Sequence, residues 1–118
     1  VRIATVVNFP QGESTGADVL AETQGAVAAG ADEIDLVLPW RGFLGGDAAG
    51  AEAMVRAVKE TCEGRTLKVI LETGEYPDLL KIRAASELAI AAGADFIKTS
   101  TGKTAHSASL PAARTMLE

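Results

Sequence analysis

At 118 residues, with 47% apolar and 23% charged side chains, the chain has room for one globular domain and no second. A net charge of −5 with no basic run argues against nucleic acid as a partner, while still allowing a local cationic pocket for a small phosphorylated substrate. No apolar run approaches the roughly 18 residues of a membrane span, and the single Cys62 excludes an intramolecular disulfide framework and fits a reducing cytoplasm.

The chain opens at Val1 without a signal-peptide pattern, already inside a strand-like run. Residues 2–9, rich in Val, Ile and Thr, read as a first strand ended by Pro10-Gln11-Gly12. Ser14 or Thr15 can cap a helix over about 17–29, with Val19, Leu20, Thr23 and Val27 on one side and Gly30 as its stop. A second strand covers 33–38 and ends at Pro39, and residues 40–47 read as a Gly-rich loop. The second helix spans 48–62, with Met54, Val55 and Val58 toward the core and Gly64 after it. A third strand, 67–72, ends at Thr73-Gly74. The third helix, 77–92, carries Leu79, Ile82, Ala85 and Ala89 on one side, with Gly93 after it. A fourth strand, 96–100, leads into a loop to about Ser109, and Pro111 opens a fourth helix that the sequence does not finish. Both ends look cut, so a fragment of a larger protein is expected.

Alternating strands and helices of these lengths predict an α/β fold with a parallel sheet and right-handed crossovers. Ala28-Ala29-Gly30-Ala31-Asp32 recurs 63 residues later as Ala91-Ala92-Gly93-Ala94-Asp95. Two βα units of about 31 residues account for that spacing, close to the pitch of a (β/α)₈ barrel of about 250 residues. The expected architecture is therefore a partial TIM barrel of four consecutive βα units. An open doubly wound sheet is the alternative, weakened because no Gly-x-Gly-x-x-Gly follows any strand.

The same offset carries Asp35 onto Lys98, so two charged residues occupy one position in repeat-related strands. Side chains alternate along a strand, which groups Lys68, Ile70 and Glu72 on one face of the third strand. If the inward faces correspond, Asp35, Lys68 and Lys98 meet inside one barrel, where a mutually compensated cluster survives and an isolated charge does not. Free lysine has a pKa near 10.4, and desolvation or a nearby cation such as Lys68 lowers it. A neutral Lys98 can form a Schiff base with an aldehyde, Asp35 can move protons through a water, and Thr101, Gly102 and Lys103 can hold a phosphate. Plainer roles compete with each of these. Lys98 can snorkel at a sheet edge, Asp35 can pair with Lys68 structurally, and Lys103 can be a solvated loop residue. Trp40 is expected to pack or cap the loop rather than bind a substrate, Cys62 to be inert, and Glu72 either to be catalytic or only to bond loop amides. His106 has no partner spacing, and Gly42 to Gly50 lacks the Gly-Lys-Ser/Thr of a P-loop.

Four stretches resemble the deoxyribose-phosphate aldolase family of class I aldolases. They are Ile3-Ala4-Thr5-Val6-Val7-Asn8-Phe9-Pro10, Gly30-Ala31-Asp32-Glu33-Ile34-Asp35, Leu67-Lys68-Val69-Ile70-Leu71-Glu72-Thr73-Gly74, and Gly93-Ala94-Asp95-Phe96-Ile97-Lys98-Thr99-Ser100-Thr101-Gly102-Lys103. The resemblance implies a (β/α)₈ barrel and reversible cleavage of 2-deoxy-D-ribose 5-phosphate to D-glyceraldehyde 3-phosphate and acetaldehyde. It implies Lys98 as the Schiff-base lysine, Asp35 as the proton-transfer group and Lys68 as a lysine lining the site. Gly102 and Lys103 match the family's phosphate-side loop. It further implies a cytoplasmic enzyme, possibly a homo-oligomer, with no metal or organic cofactor. In family order the chain corresponds to strands three to six. The family's second active-site lysine, in a Phe-Lys-Pro-Ala-Gly-Gly type motif, lies on the following strand, beyond Glu118. The isolated fragment is therefore expected to be inactive or very weak, and marginally folded or self-associating. Another Schiff-base phosphosugar barrel enzyme and a non-catalytic half-barrel module are the alternatives.

Overall fold

The computed structural model describes residues 3–9 and 12–98. Four strands alternate with helices: β1 (Ala4–Val7), α1 (Gly16–Ala28), β2 (Glu33–Val37), α2 (Trp40–Leu44), α3 (Ala48–Thr61), β3 (Thr66–Ile70), α4 (Leu79–Ala91) and β4 (Phe96–Lys98), with a 3₁₀ turn at Thr73–Glu75. The long helices start where a side chain accepts from the backbone N–H three residues on: Thr15 from Asp18, Asp47 from Gly50 and Asp78 from Lys81. The loop, fourth helix and phosphate segment expected beyond Lys98 lie outside the described residues.

All strand pairs are parallel and the sheet order is β1-β2-β3-β4, so each strand pairs with its successor. A doubly wound sheet reverses direction at a switch point and covers both faces. Here α1, α3 and α4 follow one another along a single face. Val7, Ile34, Leu36, Leu67 and Val69 point there and form one buried cluster with Val19, Val55, Val58, Ala85 and Ala89. This is the singly wound, barrel-type alternative.

The repeated Ala-Ala-Gly-Ala-Asp stretch is one device used twice. Gly30 and Gly93 close α1 and α4 with φ of 96° and 116°, which a side chain would strain. The chain then turns so that Asp32 N–H donates to the Ile3 carbonyl and the Asp32 carboxylate accepts from Ile3 N–H, both at 2.8 Å. Asp95 does the same to Leu67, again at 2.8 Å each way. Each aspartate thereby fixes the register in which its strand joins a neighbour.

Several expectations need correction. Residues 40–44 are helical rather than loop, because Trp40 and Phe43, three residues apart, both bury and outweigh the helix-weakening Gly42. The buried stripe of α4 is Ile82, Ala85, Ser86 and Ala89, while Leu79 at its start is 45% exposed. Glu72 lies past β3 in left-handed backbone (φ 63°), so strand alternation does not extend to it.

Candidate functional site

The register places the charged residues on the sheet face opposite the helices. Asp35 lies level with Lys68, and Lys98 lies level with Ile70, one pleat further along. That face therefore carries Val6 on β1, Glu33, Asp35 and Val37 on β2, Lys68 and Ile70 on β3, and Phe96 and Lys98 on β4. At its C-terminal end Trp40 folds back on Val37 and Ile70, with Tyr76 against them. Trp40 packs as expected, and the Arg41 guanidinium lies 4.0 Å from its ring centroid.

Lys98 and Asp35 meet. Lys98 Nζ donates to Asp35 Oδ2 at 3.1 Å across the 63-residue repeat. Strands two apart in a sheet are separated by roughly 10 Å, so the lysine stem must pass over β3 to make this bond. The two ends differ in environment: the Asp35 side chain is 6% exposed and that of Lys98 is 45% exposed. Asp35 Oδ1 is buried with no hydrogen-bond partner. The pair thus combines a solvent-reachable amine with a buried carboxylate that has spare acceptor capacity.

Lys68 shares the face and pairs with Glu33. Its Nζ lies 2.7 Å from Glu33 Oε1, one pleat toward the N-terminal end of the sheet. Lys98–Asp35 and Lys68–Glu33 form two staggered pairs on this face. Sequence reasoning missed Glu33. Its signal was present: a carboxylate two residues before Asp35 must share its face. Thr101, Gly102 and Lys103 lie outside the described residues.

Around the rim, Trp40 Nε1, Thr73 Oγ1 and Tyr76 Oη are also buried without partners. Burial, and to a lesser degree the Glu72 carboxylate, push the Tyr76 hydroxyl well above its ordinary range, so it stays protonated. Burial likewise raises the Cys62 thiol, consistent with an inert core residue. Behind the site, Asp95 is held below the usual carboxylate range, first by the Leu67 N–H and then by Lys59, whose Nζ is 2.7 Å away. Among the described residues no group of three or more His, Cys, Asp or Glu could hold a metal ion, and no helix is long and apolar enough to cross a membrane.

Comparison with known proteins bears on the family and the fold. The family profile described as DeoC/LacD family aldolase matches residues 1–118. A deoxyribose-phosphate aldolase of Agrobacterium fabrum is 58% identical over 119 residues, covering 100% of this chain and 46% of that protein. A protein of Coccidioides immitis assigned as a deoxyribose-phosphate aldolase superposes with a TM-score of 0.93 at 31% identity, over 98% of this chain and 46% of its own. A tetrameric deoxyribose phosphate aldolase from Aeropyrum pernix gives 0.78 at 30% identity, over 87% and 43%. The chain spans about half the length of the relatives it matches.

Proposed function

The chain belongs to the DeoC/LacD aldolase family, and from that membership we propose that it forms the Schiff-base half of a deoxyribose-phosphate aldolase site. The observation that carries this reading is the 3.1 Å contact between a solvent-reachable Lys98 amine and a buried Asp35 carboxylate on the face opposite the helices. We assign these four βα units to strands three to six of an eight-unit barrel.

In the proposed reaction the neutral Lys98 amine attacks the C1 carbonyl of 2-deoxy-D-ribose 5-phosphate, and loss of water leaves a protonated imine. Removal of the C3 hydroxyl proton breaks the C2–C3 bond and releases D-glyceraldehyde 3-phosphate. The bonding electrons pass into the imine as an enamine. Protonation at C2 and hydrolysis then release acetaldehyde and restore the lysine. Asp35 Oδ1, buried and unpaired, supports a role in passing these protons through a water. The lysine imine is itself the electron sink, so the chemistry calls for no metal or organic cofactor. Thr101, Gly102 and Lys103 are assigned to the substrate phosphate, and Lys68 to the wall of the site. The buried free thiol Cys62 fits a cytoplasmic enzyme, and the Aeropyrum tetramer favours self-association of the complete protein.

The test is acetaldehyde with borohydride followed by peptide mapping. Reduction should leave an N-ethyl group on Lys98, and Lys98→Arg should abolish it. Labelling of a different lysine overturns the assignment.

A further inference from the structure

The last hydrogen-bonded rung of the sheet runs across β2 and β3 and ends on Lys98. Val37, Ile70 and Lys98 lie level on β2, β3 and β4. Leu71 N–H donates to the Lys98 carbonyl at 3.0 Å, and Leu38 N–H donates to the Ile70 carbonyl at 2.9 Å. The Val37 carbonyl then needs a donor from the β1 side, but β1 ends at Val7. Asn8 has turned into left-handed backbone, with φ of 55°, and its own N–H goes to Glu22 Oε1 at 3.3 Å. Its side chain supplies the missing donor: Asn8 Nδ2 donates to the Val37 carbonyl at 2.9 Å. We propose that Asn8 is a positioning residue for the aldolase reaction, closing this rung so that Lys98 and Asp35 keep the geometry that proton transfer needs. This rests on the Schiff-base reading of Lys98.

Asn8 is built for this place. It is 2% exposed, and asparagine is one of the few residues besides glycine that enters left-handed backbone readily. Its Oδ1 accepts from Ser14 N–H at 2.8 Å, so one side chain ties the segment before α1 to the end of β2. Each peptide in the rung accepts on one side and donates on the other. Such bonds polarise one another, and loss of the first weakens those that follow. Without the Asn8 amide the Val37 carbonyl loses its partner and the peptide between Val37 and Leu38 is free to tilt. Val37 follows Asp35 on the same face, and Ile70 lies beneath the path of the Lys98 stem, so a tilt reaches both ends of the 3.1 Å contact. Proton transfer through a held water suffers from a misplacement of about 1 Å, whereas an exposed amine still meets a small aldehyde.

The experiment uses a full-length protein carrying this segment. Asn8→Gly deletes the amide without straining the left-handed backbone, and Asn8→Asp keeps an acceptor for Ser14 N–H while removing the donor. Both variants should lower retro-aldol kcat by about tenfold to 10²-fold with KM nearly unchanged, the pattern of an interaction that counts only in the transition state. Both should still be reductively labelled at Lys98 by acetaldehyde and borohydride. Amide hydrogen exchange reads the rung itself. In either variant Leu38 and Leu71 N–H should exchange at least about tenfold faster, while Leu67 and Asp95 N–H, bonded at the opposite ends of the strands, keep their wild-type rates. Exchange that quickens equally at all four amides marks a merely structural residue and overturns the proposal. So does unchanged kcat, or unchanged exchange at Leu38 and Leu71. Where neither variant folds, the wild type decides: Leu38 and Leu71 N–H should be protected by about 10³-fold or more, and exchange at the rate of a free peptide overturns the rung. Wild-type label on a lysine other than Lys98 removes the Schiff-base reading, and with it the role in the reaction, whereas the exchange result stands by itself.

Discussion

A lysine on a strand ordinarily keeps its ammonium in water and stabilises little. Lys98 differs through its partner, because Asp35 is 6% exposed, is half used by the lysine, and keeps Oδ1 unpaired. If the pair served only stability, replacing Asp35 by Asn would strand a charge. Lys98 can instead return to water, and Asn removes a buried negative charge, so the expected cost to folding is under about 1 kcal/mol. If the carboxylate moves protons, the same change should lower turnover of a full-length protein carrying this segment by about 10²–10⁴-fold. Measured together, urea unfolding and retro-aldol kcat separate the two roles. Several kcal/mol of lost stability with kcat unchanged would make the pair structural. The Asp35–Lys98 meeting was legible in the sequence because the repeat sets both residues at equivalent strand positions. The Glu33–Lys68 pairing was not. Alternation says which charges share a face, whereas pairing depends on how far each long side chain reaches between strands.

Among the elements, the repeated aspartates do more than mark helix ends. Asp95 ties the start of β4 to Leu67 by two backbone-directed bonds and takes Lys59 of α3 as its counter-ion. Lys98 is three residues on, so this clamp fixes the face on which it emerges, since a one-residue slip would turn it to the helix side. The folded-state pKa of Asp95 lies below its ordinary value of 3.8. Its stabilising contribution is therefore fully present above about pH 4 and fades as pH falls through the lower folded value. Asp95→Asn keeps an acceptor for Leu67 N–H and loses the charge. Its urea midpoint should fall below wild type at pH 7, and the gap should narrow toward pH 2–3. A gap that stays constant across that range would show that the Asp95 charge, toward Leu67 N–H and Lys59 alike, contributes nothing. Capping residues and glycines made the long helices readable. The five-residue α2 was hidden because its stability comes from burying Trp40 and Phe43 rather than from local propensity.

Among the described residues, an arc of four parallel strands has α1, α3 and α4 on one face and the charged pairs on the other. On that second face Val6 is 42% and Phe96 61% exposed. Apolar groups of that size at a sheet surface favour association, and unpaired strand edges add backbone groups that seek partners. The four strands supply one wall of the proposed site. In a barrel the substrate is enclosed by strands from the other side, and enclosure supplies both the positioning and the exclusion of water on which turnover depends. A polypeptide of these 118 residues should therefore bind a hydrophobic dye, sediment as larger species as its concentration rises, and give retro-aldol turnover at least about 10³-fold below a full-length relative, while still being reductively labelled at Lys98. The order of these losses matters. Imine formation needs only the amine and its near neighbours, whereas C–C cleavage needs the substrate held along its length. Turnover within tenfold of the full-length enzyme would show that the arc, alone or self-assembled, closes a complete site.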